Sequence, residues 1–230
     1  MCGRYSITMP VEAMRRLFRI TGELPALLPR FNVAPGQAVP IVRPAEGEAA
    51  DGRSLVMMRW GLIPSWAKEP QIGYRMINAR AETMAEKPAF RAAFRARRCL
   101  VVADGFYEWK SAGRTKQPYR IELADRSPFA FAGLWERWQA PEDAPIESCT
   151  ILTTEANELL RPIHDRMPVI LDEAGHEPWL AVGQSRSVAG LLRPCPAERM
   201  AAYAISSRIN SPRNDDSGVL ERVVPQHLLL

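Results

Sequence analysis

The sequence predicts an α+β protein built on a barrel-like, largely antiparallel β-sheet core with flanking helices. Short apolar or aromatic runs recur along the chain, each bounded by Gly, Pro, Asp or Ser. Twenty prolines are spread over the 230 residues and cut the chain into short elements. Only two stretches carry a clear helical period. Many short antiparallel strands with few helices favour a curled sheet or barrel.

The elements follow in chain order. Residues 11–19 read as a helix, and strands are expected near 39–43 and 55–60. The polar, Gly-containing stretch 46–53 between them has little to bury and reads as a loop, not a domain linker. A second helix is expected over 87–98, with Phe90, Ala93 and Phe94 on one face and Arg91, Arg95 and Arg98 on the other. Such a basic stripe, taken alone, reads as a solvated helix face. The apolar run 99–103 then meets Asp104-Gly105, a tight-turn signal, and the aromatic run 106–110, which predicts a hairpin. Further strands are expected at 119–123, 129–135, 149–153, 169–171 and 201–205. There are no repeats or low-complexity tracts. With 47% apolar residues, one compact domain over 2–230 is expected.

Composition narrows the functional classes. No stretch approaches a membrane span, and the opening residues MCGRYSITMP lack the apolar run of a secretory signal, so a soluble cytoplasmic protein is expected. Lipidation of Cys2 would need an upstream apolar segment, and only Met1 precedes it. Cys2, Cys99, Cys149 and Cys195 form no CxxC pair, and His164, His176 and His227 show no metal-ligand spacing. No disulfide framework, metal or cofactor is therefore expected, and Cys99 and Cys149, inside strand-like runs, read as core. Net charge is +4, and 26 of the 30 basic residues are Arg. That bias suits phosphate and base recognition, but a GC-rich genome produces it as well.

A few residues could carry chemistry. Removal of Met1 would expose Cys2 with an α-amine (reference pKa about 7.7–8.0) and a thiol (about 8.5) on adjacent carbons. The pair could condense with an aldehyde and close to a thiazolidine, or serve acyl transfer with the amine as base to the thiol. Glu108, in DGFYEWK, shares a strand face with Phe106 and Lys110 between Tyr107 and Trp109. Desolvated among aromatics it would exchange protons near neutrality; paired with Lys110 on an edge strand it would be inert, and the segment alone favours the second. His164 stands in a loop before a strand, where a lone His is most often simply solvated. Asn78 and Arg80, in RMINARAET, could pair an amide hydrogen bond with a phosphate clamp, or cap a helix. Trp60 reads as core, and Trp66, in a Gly- and Pro-broken stretch, as a surface ring able to stack an unpaired base.

Taken together, MCGRY, FNVAPGQ, RWGLIPSWA, INARAET, CLVVADGFYEWK, IHDRMPVIL and, more loosely, ISSRIN resemble the SOS response-associated peptidase (SRAP) family, in order, from Cys2 to about Asn210. The resemblance implies a protein that crosslinks through its terminal Cys to abasic sites in single-stranded DNA, as a monomer, without metal or cofactor and away from membranes. It would be cytoplasmic, and nucleoid-associated when on DNA. Cys2 would be the nucleophile, Asn78 and His164 would engage the abasic sugar, and Glu108 would be the acid-base group. Arg4, Arg80 and Trp66 would contact DNA; where some relatives carry a second Trp, this chain has Ala67. Autopeptidase and lyase-like imine chemistry belong to the same expectation. The main rival is an N-terminal-nucleophile peptidase or amidohydrolase with Cys2 attacking an amide; a non-covalent single-strand binder is the second.

Overall fold

The structure is a computed structural model that describes residues 2–46, 52–113, 115–139, 144–181 and 188–224. Its elements are β1 (Tyr5–Ile7), α1 (Val11–Phe18), β2 (Arg30–Val33), β3 (Ala38–Pro44), β4 (Arg53–Trp60), β5 (Asn78–Arg80), α2 (Arg91–Ala96), β6 (Arg98–Ala103), β7 (Gly105–Ala112), β8 (Thr115–Leu123), β9 (Phe129–Trp138), β10 (Ile146–Glu155), β11 (Arg166–Pro168), β12 (Ile170–Leu171), α3 (Glu173–Leu180) and β13 (Met200–Ala204). Five strands close on themselves. β10 runs parallel to β4; β4 pairs antiparallel with β3, β3 with β6, β6 with β9, and β9 returns antiparallel to β10. Closure leaves this barrel without a free edge among its five members. β5 and β11 add to β10, and β12 to β9. A second, antiparallel sheet has the order β13-β8-β7-β1-β2.

The second sheet packs against the barrel through aromatic rings. Tyr5 lies edge-on to Trp60 at 5.2 Å and to Phe131 at 5.8 Å, and Phe106 meets Phe131 at 6.0 Å. Its other face is covered as well, where Tyr107 packs with Ile205, Ile209 and Val219. β7 is thus buried on both sides. Alternation sends Phe106 and Glu108 toward the main core, and Tyr107 and Trp109 toward the smaller one.

The α+β, barrel-like expectation holds, and most strands fall where alternation placed them. The predicted hairpin at Asp104-Gly105 does not form: β6 pairs with β3 and β9, whereas β7 pairs with β1 and β8. The dipeptide is the corner at which the chain leaves the barrel for the second sheet. The helix expected over 87–98 is shorter, because the chain leaves helical geometry at Arg97 and β6 starts at Arg98. Arg98 accordingly turns inward, where its guanidinium donates to the carbonyls of Phe94, Trp179 and Ala181. Only Arg91 and Arg95 remain of the basic stripe on the exposed face. Asn78 and Arg80 lie on a strand and cap no helix. Of the loop expected at 46–53, residues 47–51 lie outside the described residues, and Arg53 already belongs to β4. Among the described residues, no helix is long and apolar enough to cross a membrane.

Between β4 and β5 the chain makes a close backbone approach that sets where Asn78 falls. Gly61 has φ +123°, and a Cβ there would lie 2.6 Å from the carbonyl oxygen of Gly73, which leads toward β5. Neither the dihedral nor the contact can relax by moving a side chain. Gly61→Ala should therefore destabilise the fold by about 1–3 kcal/mol. Urea titration checks this, and a variant as stable as the parent would contradict it.

Candidate active site

The amino-terminal segment is fixed by strand pairing and a buried polar cluster. Tyr5 and Ser6 pair with Phe106 and Gly105, and the Tyr107 amide donates to the Arg4 carbonyl at 3.0 Å. The Asp104 carboxylate accepts from the Ser6 hydroxyl at 2.6 Å, from the Thr8 hydroxyl at 2.7 Å and from the Thr8 amide. Arg120 donates to the Ser6 hydroxyl at 2.8 Å, to the Tyr107 hydroxyl at 3.2 Å and to the Asp104 carbonyl at 3.2 Å, and pairs with Glu122 at 2.8 Å. A Cβ on Gly105 would sit 2.6 Å from the Arg120 guanidinium carbon, which explains the glycine after Asp104. Burial raises the Tyr107 phenol to about 12, against the lowering effect of Arg120, so it stays protonated and donates to the Phe31 carbonyl at 2.6 Å.

This anchoring brings Cys2 to the inner face of β7. Cys2 is 0% exposed and Glu108 is 3% exposed. Burial, reinforced by the negative charge of Glu108, pushes the Cys2 thiol well up, so it rests as the neutral thiol. Burial likewise raises the Glu108 carboxyl, opposed by the positive charges of the amino terminus and of His164. Glu108 is therefore no exposed edge-strand partner of Lys110. It is a desolvated carboxyl coupled to both the thiol and the imidazole.

Asn78 and His164 lie on segments that add to β10 of the barrel, and His164 acts on Glu108. β5 runs parallel to β10, with Asn78 opposite Ile151 and Arg80 opposite Thr153. The Trp60 indole donates to the Ile77 carbonyl at 2.9 Å, and the Ile151 amide donates to the same oxygen at 3.1 Å. That pins the residue before Asn78. The Asn78 Nδ2 makes one long bond to the Ile151 carbonyl at 3.5 Å, and its buried Oδ1 has no partner among the described residues. Such an amide is available to a ligand. His164 precedes β11 in a loop, as expected, with its side chain 28% exposed. Its Nδ1 lies 3.0 Å from the Arg166 amide and 2.9 Å from Asp165 Oδ1. The neutral ring accepts from the amide and the protonated ring donates to the carboxylate, so both protonation states have a partner.

The proposed DNA contacts differ in how available they are. Arg80 is exposed at the end of β5, and Trp66 is 58% exposed beside Lys68 and Arg75. Arg4 is half-buried, and one terminal nitrogen is committed to Asn32 Oδ1 at 2.7 Å and the Ile209 carbonyl at 3.0 Å. Asn32 in turn donates to the carbonyls of Ile209, Ser211 and Asn214, and Trp109 donates to Asn210 Oδ1 at 2.7 Å. The FNVAPGQ and ISSRIN motifs are thus one cradle beneath the amino-terminal segment. Ala67 is buried, with its carbonyl accepting from the Trp138 indole at 2.7 Å, so this position carries no exposed ring.

Two neighbours escaped the sequence reading. Arg166 forms a two-pronged pair with Glu82 at 2.9 and 2.8 Å and donates to the Thr153 carbonyl at 2.7 Å, tying the His164 loop to the end of β5. Their separation of 84 residues leaves no local signal, although Glu82 lies inside INARAET and Arg166 inside IHDRMPVIL. Among the described residues, no group of three or more His, Cys, Asp or Glu could hold a metal ion. The four cysteines are free.

A buried thiol near the amino terminus, a buried carboxyl and a loop imidazole thus act on one another where a barrel meets a second sheet. The family described as SOS response associated peptidase (SRAP) matches residues 1–212, and the chain belongs to it. The chain is 44% identical over 226 residues to the abasic site processing protein YoqW of Bacillus subtilis (strain 168), covering 96% of this chain and 99% of that protein. It is 30% identical to the abasic site processing protein HMCES of Xenopus tropicalis, covering 97% of this chain and 79% of that protein. A crystal structure of a protein from Bacteroides thetaiotaomicron superposes with a TM-score of 0.87 at 29% identity, covering 97% of this chain and all of that one.

The raised Glu108 carboxyl has a measurable consequence for stability. The folded state binds the Glu108 proton more tightly than the unfolded state, whose carboxyl titrates near the reference value of about 4.3. The stabilisation from protonation is complete below that value and is lost as pH rises through the folded pKa. Glu108→Gln removes this pH-dependent cost, so its stability relative to the parent should rise as pH increases from about 4.3 through the raised folded pKa. Urea titrations across that range check this, and a pH-independent difference would contradict it.

Proposed function

We propose that this protein processes abasic sites by trapping them, in single-stranded DNA, as a covalent adduct on Cys2 once Met1 has been removed. The observation that carries the reading is the mutual influence of the buried Cys2 thiol, the buried Glu108 carboxyl and the half-buried His164 imidazole at one seam. The printed names of the relatives, abasic site processing proteins, support it.

The chemistry follows from the protonation states. The open form of an abasic deoxyribose carries an aldehyde, while the dominant hemiacetal does not. His164 moves a proton at the ring oxygen to open the sugar, and Asn78 holds the released oxygen through its amide. The neutral α-amine adds to the carbonyl carbon, the carbinolamine loses water, and an imine remains. The Cys2 sulfur then bonds to the imine carbon while its proton passes through Glu108 to the nitrogen, closing the thiazolidine with loss of one water overall. A neutral buried thiol is poorly disposed to attack first, so the amine leads and the thiol follows. An imine left open invites strand cleavage by elimination. Ring closure removes that electron sink and preserves the strand.

Arg80 and Trp66 supply a phosphate contact and a stacking surface suited to a single strand. A reducing compartment, the cytoplasm, would keep the thiol free. The monomer suffices, since every proposed group comes from one chain.

The test uses an oligonucleotide with one abasic site, resolved on a denaturing gel. The parent protein should give a persistent shifted band. Cys2→Ser keeps the amine but not the thiol, and should give a band only with borohydride, together with more cleaved DNA. A heat-stable Cys2→Ser adduct formed without reductant would refute the thiazolidine route, and absence of any parent adduct would refute trapping.

A further inference from the structure

Next to the proposed site lies an open groove of about 710 Å³ whose walls include Arg80, Thr83, Thr154, Arg166 and Arg193. It joins the site at two points: Arg80 is two residues beyond Asn78, and Arg166 two beyond His164. The acids on its walls are Glu82 and Glu155. Glu82 is occupied by the two-pronged pair with Arg166, which also holds its carboxyl below the usual carboxylate range. Arg166 is therefore neutralised locally, and the groove's remaining cations are Arg80 and Arg193. Arg193 is exposed and forms no ion pair with any described residue. It sits between Leu192 and Pro194, which also line the groove, on a segment that nothing in the chemistry above employs.

We infer that this groove carries the DNA strand onward from the abasic sugar and that Arg193 binds a flanking phosphate in it. The inference rests on the reading under Proposed function and extends its binding surface. An exposed guanidinium without a carboxylate partner is suited to a phosphate, since it gives up no existing bond to bind one. The neutral hydroxyls of Thr83 and Thr154 can donate to the same backbone. The occupant is a polyanionic single strand, because the contact is to phosphate and the groove's walls include Arg80 and Arg166, each two residues beyond a residue proposed to hold the sugar. One end of the strand beyond the lesion would depend on Arg193, and the other would not.

Binding measured by fluorescence anisotropy on labelled single-stranded oligonucleotides across a salt series tests this apart from the chemistry. Arg193→Ala should bind about three- to tenfold more weakly at low salt and flatten the slope of log affinity against log salt by about 0.7, the loss of one phosphate contact on a single strand. Arg193→Lys should retain most of the slope. Arg16→Ala, on α1 away from the groove, should match the parent. Oligonucleotides with the abasic site near one end or the other locate the contact: the Arg193→Ala deficit should vanish on whichever lacks the flank that enters the groove. An unchanged slope, or a deficit on both truncated strands, would overturn the inference. If the parent failed to crosslink while the Arg193 deficit and its polarity persisted, the covalent reading would fail and the groove would stand.

Discussion

The site depends on one buried carboxylate, Asp104, which turns the chain out of the barrel and at the same time grips the strand behind Cys2. Its contacts with Ser6, Thr8 and, at 3.5 Å, Arg120 are made where the chain leaves β6 for β7. β1 is only three residues long and its pairing with β2 is irregular, so ladder bonds alone hold it weakly. A buried charge of this kind is costly to leave unpaired, and here Arg120 and two hydroxyls satisfy it. With Asp104 fixed, the three residues ahead of β1 turn back so that Cys2 is buried in the main core, where it feels the charge of Glu108. The amino-terminal segment thereby inherits the rigidity of β7, which is buried on both faces.

That burial comes at the expense of the fold. Glu108 would be more comfortable in water, and its raised carboxyl shows the cost of keeping it inside. The same desolvation holds the neighbouring thiol neutral, the state from which the proposed mechanism starts. The unpartnered Asn78 oxygen is a second local cost of the same kind. Active sites commonly carry groups that are costly to the fold and fit a substrate better than they fit the empty protein.

The sequence made the periodic features legible and left the crossings hidden. Alternation in DGFYEWK correctly grouped Glu108 with Phe106 and Lys110 and set Tyr107 and Trp109 opposite. It could not tell which face was interior, because both are covered: one by the barrel, the other by Ile205, Ile209 and Val219. Asp104-Gly105 has the composition of a tight turn, but its glycine answers to Arg120, fifteen residues on, and its aspartate to β1. Arg98 was assigned to a helix face because nothing local marks the end of α2 at Ala96. The segments around Cys2, Asn78, Glu108 and His164 stood out only through the ordered set of family-like motifs. The Arg166–Glu82 tie joins two such motifs and could be seen only once they met in space. Trp60 and Trp66 were separable, because a Gly- and Pro-broken stretch exposes one ring while the preceding strand buries the other.

The central claim is that both functional groups of a terminal Cys2 are consumed by one sugar. Digesting the isolated protein–DNA adduct, alkylating it under denaturing conditions and sequencing the attached peptide by mass spectrometry tests this most directly. The account predicts a modified peptide that begins at Cys2, carries the sugar with loss of one water, and resists thiol alkylation. A modified peptide that retained Met1, or whose Cys2 accepted the alkylating agent, would contradict it.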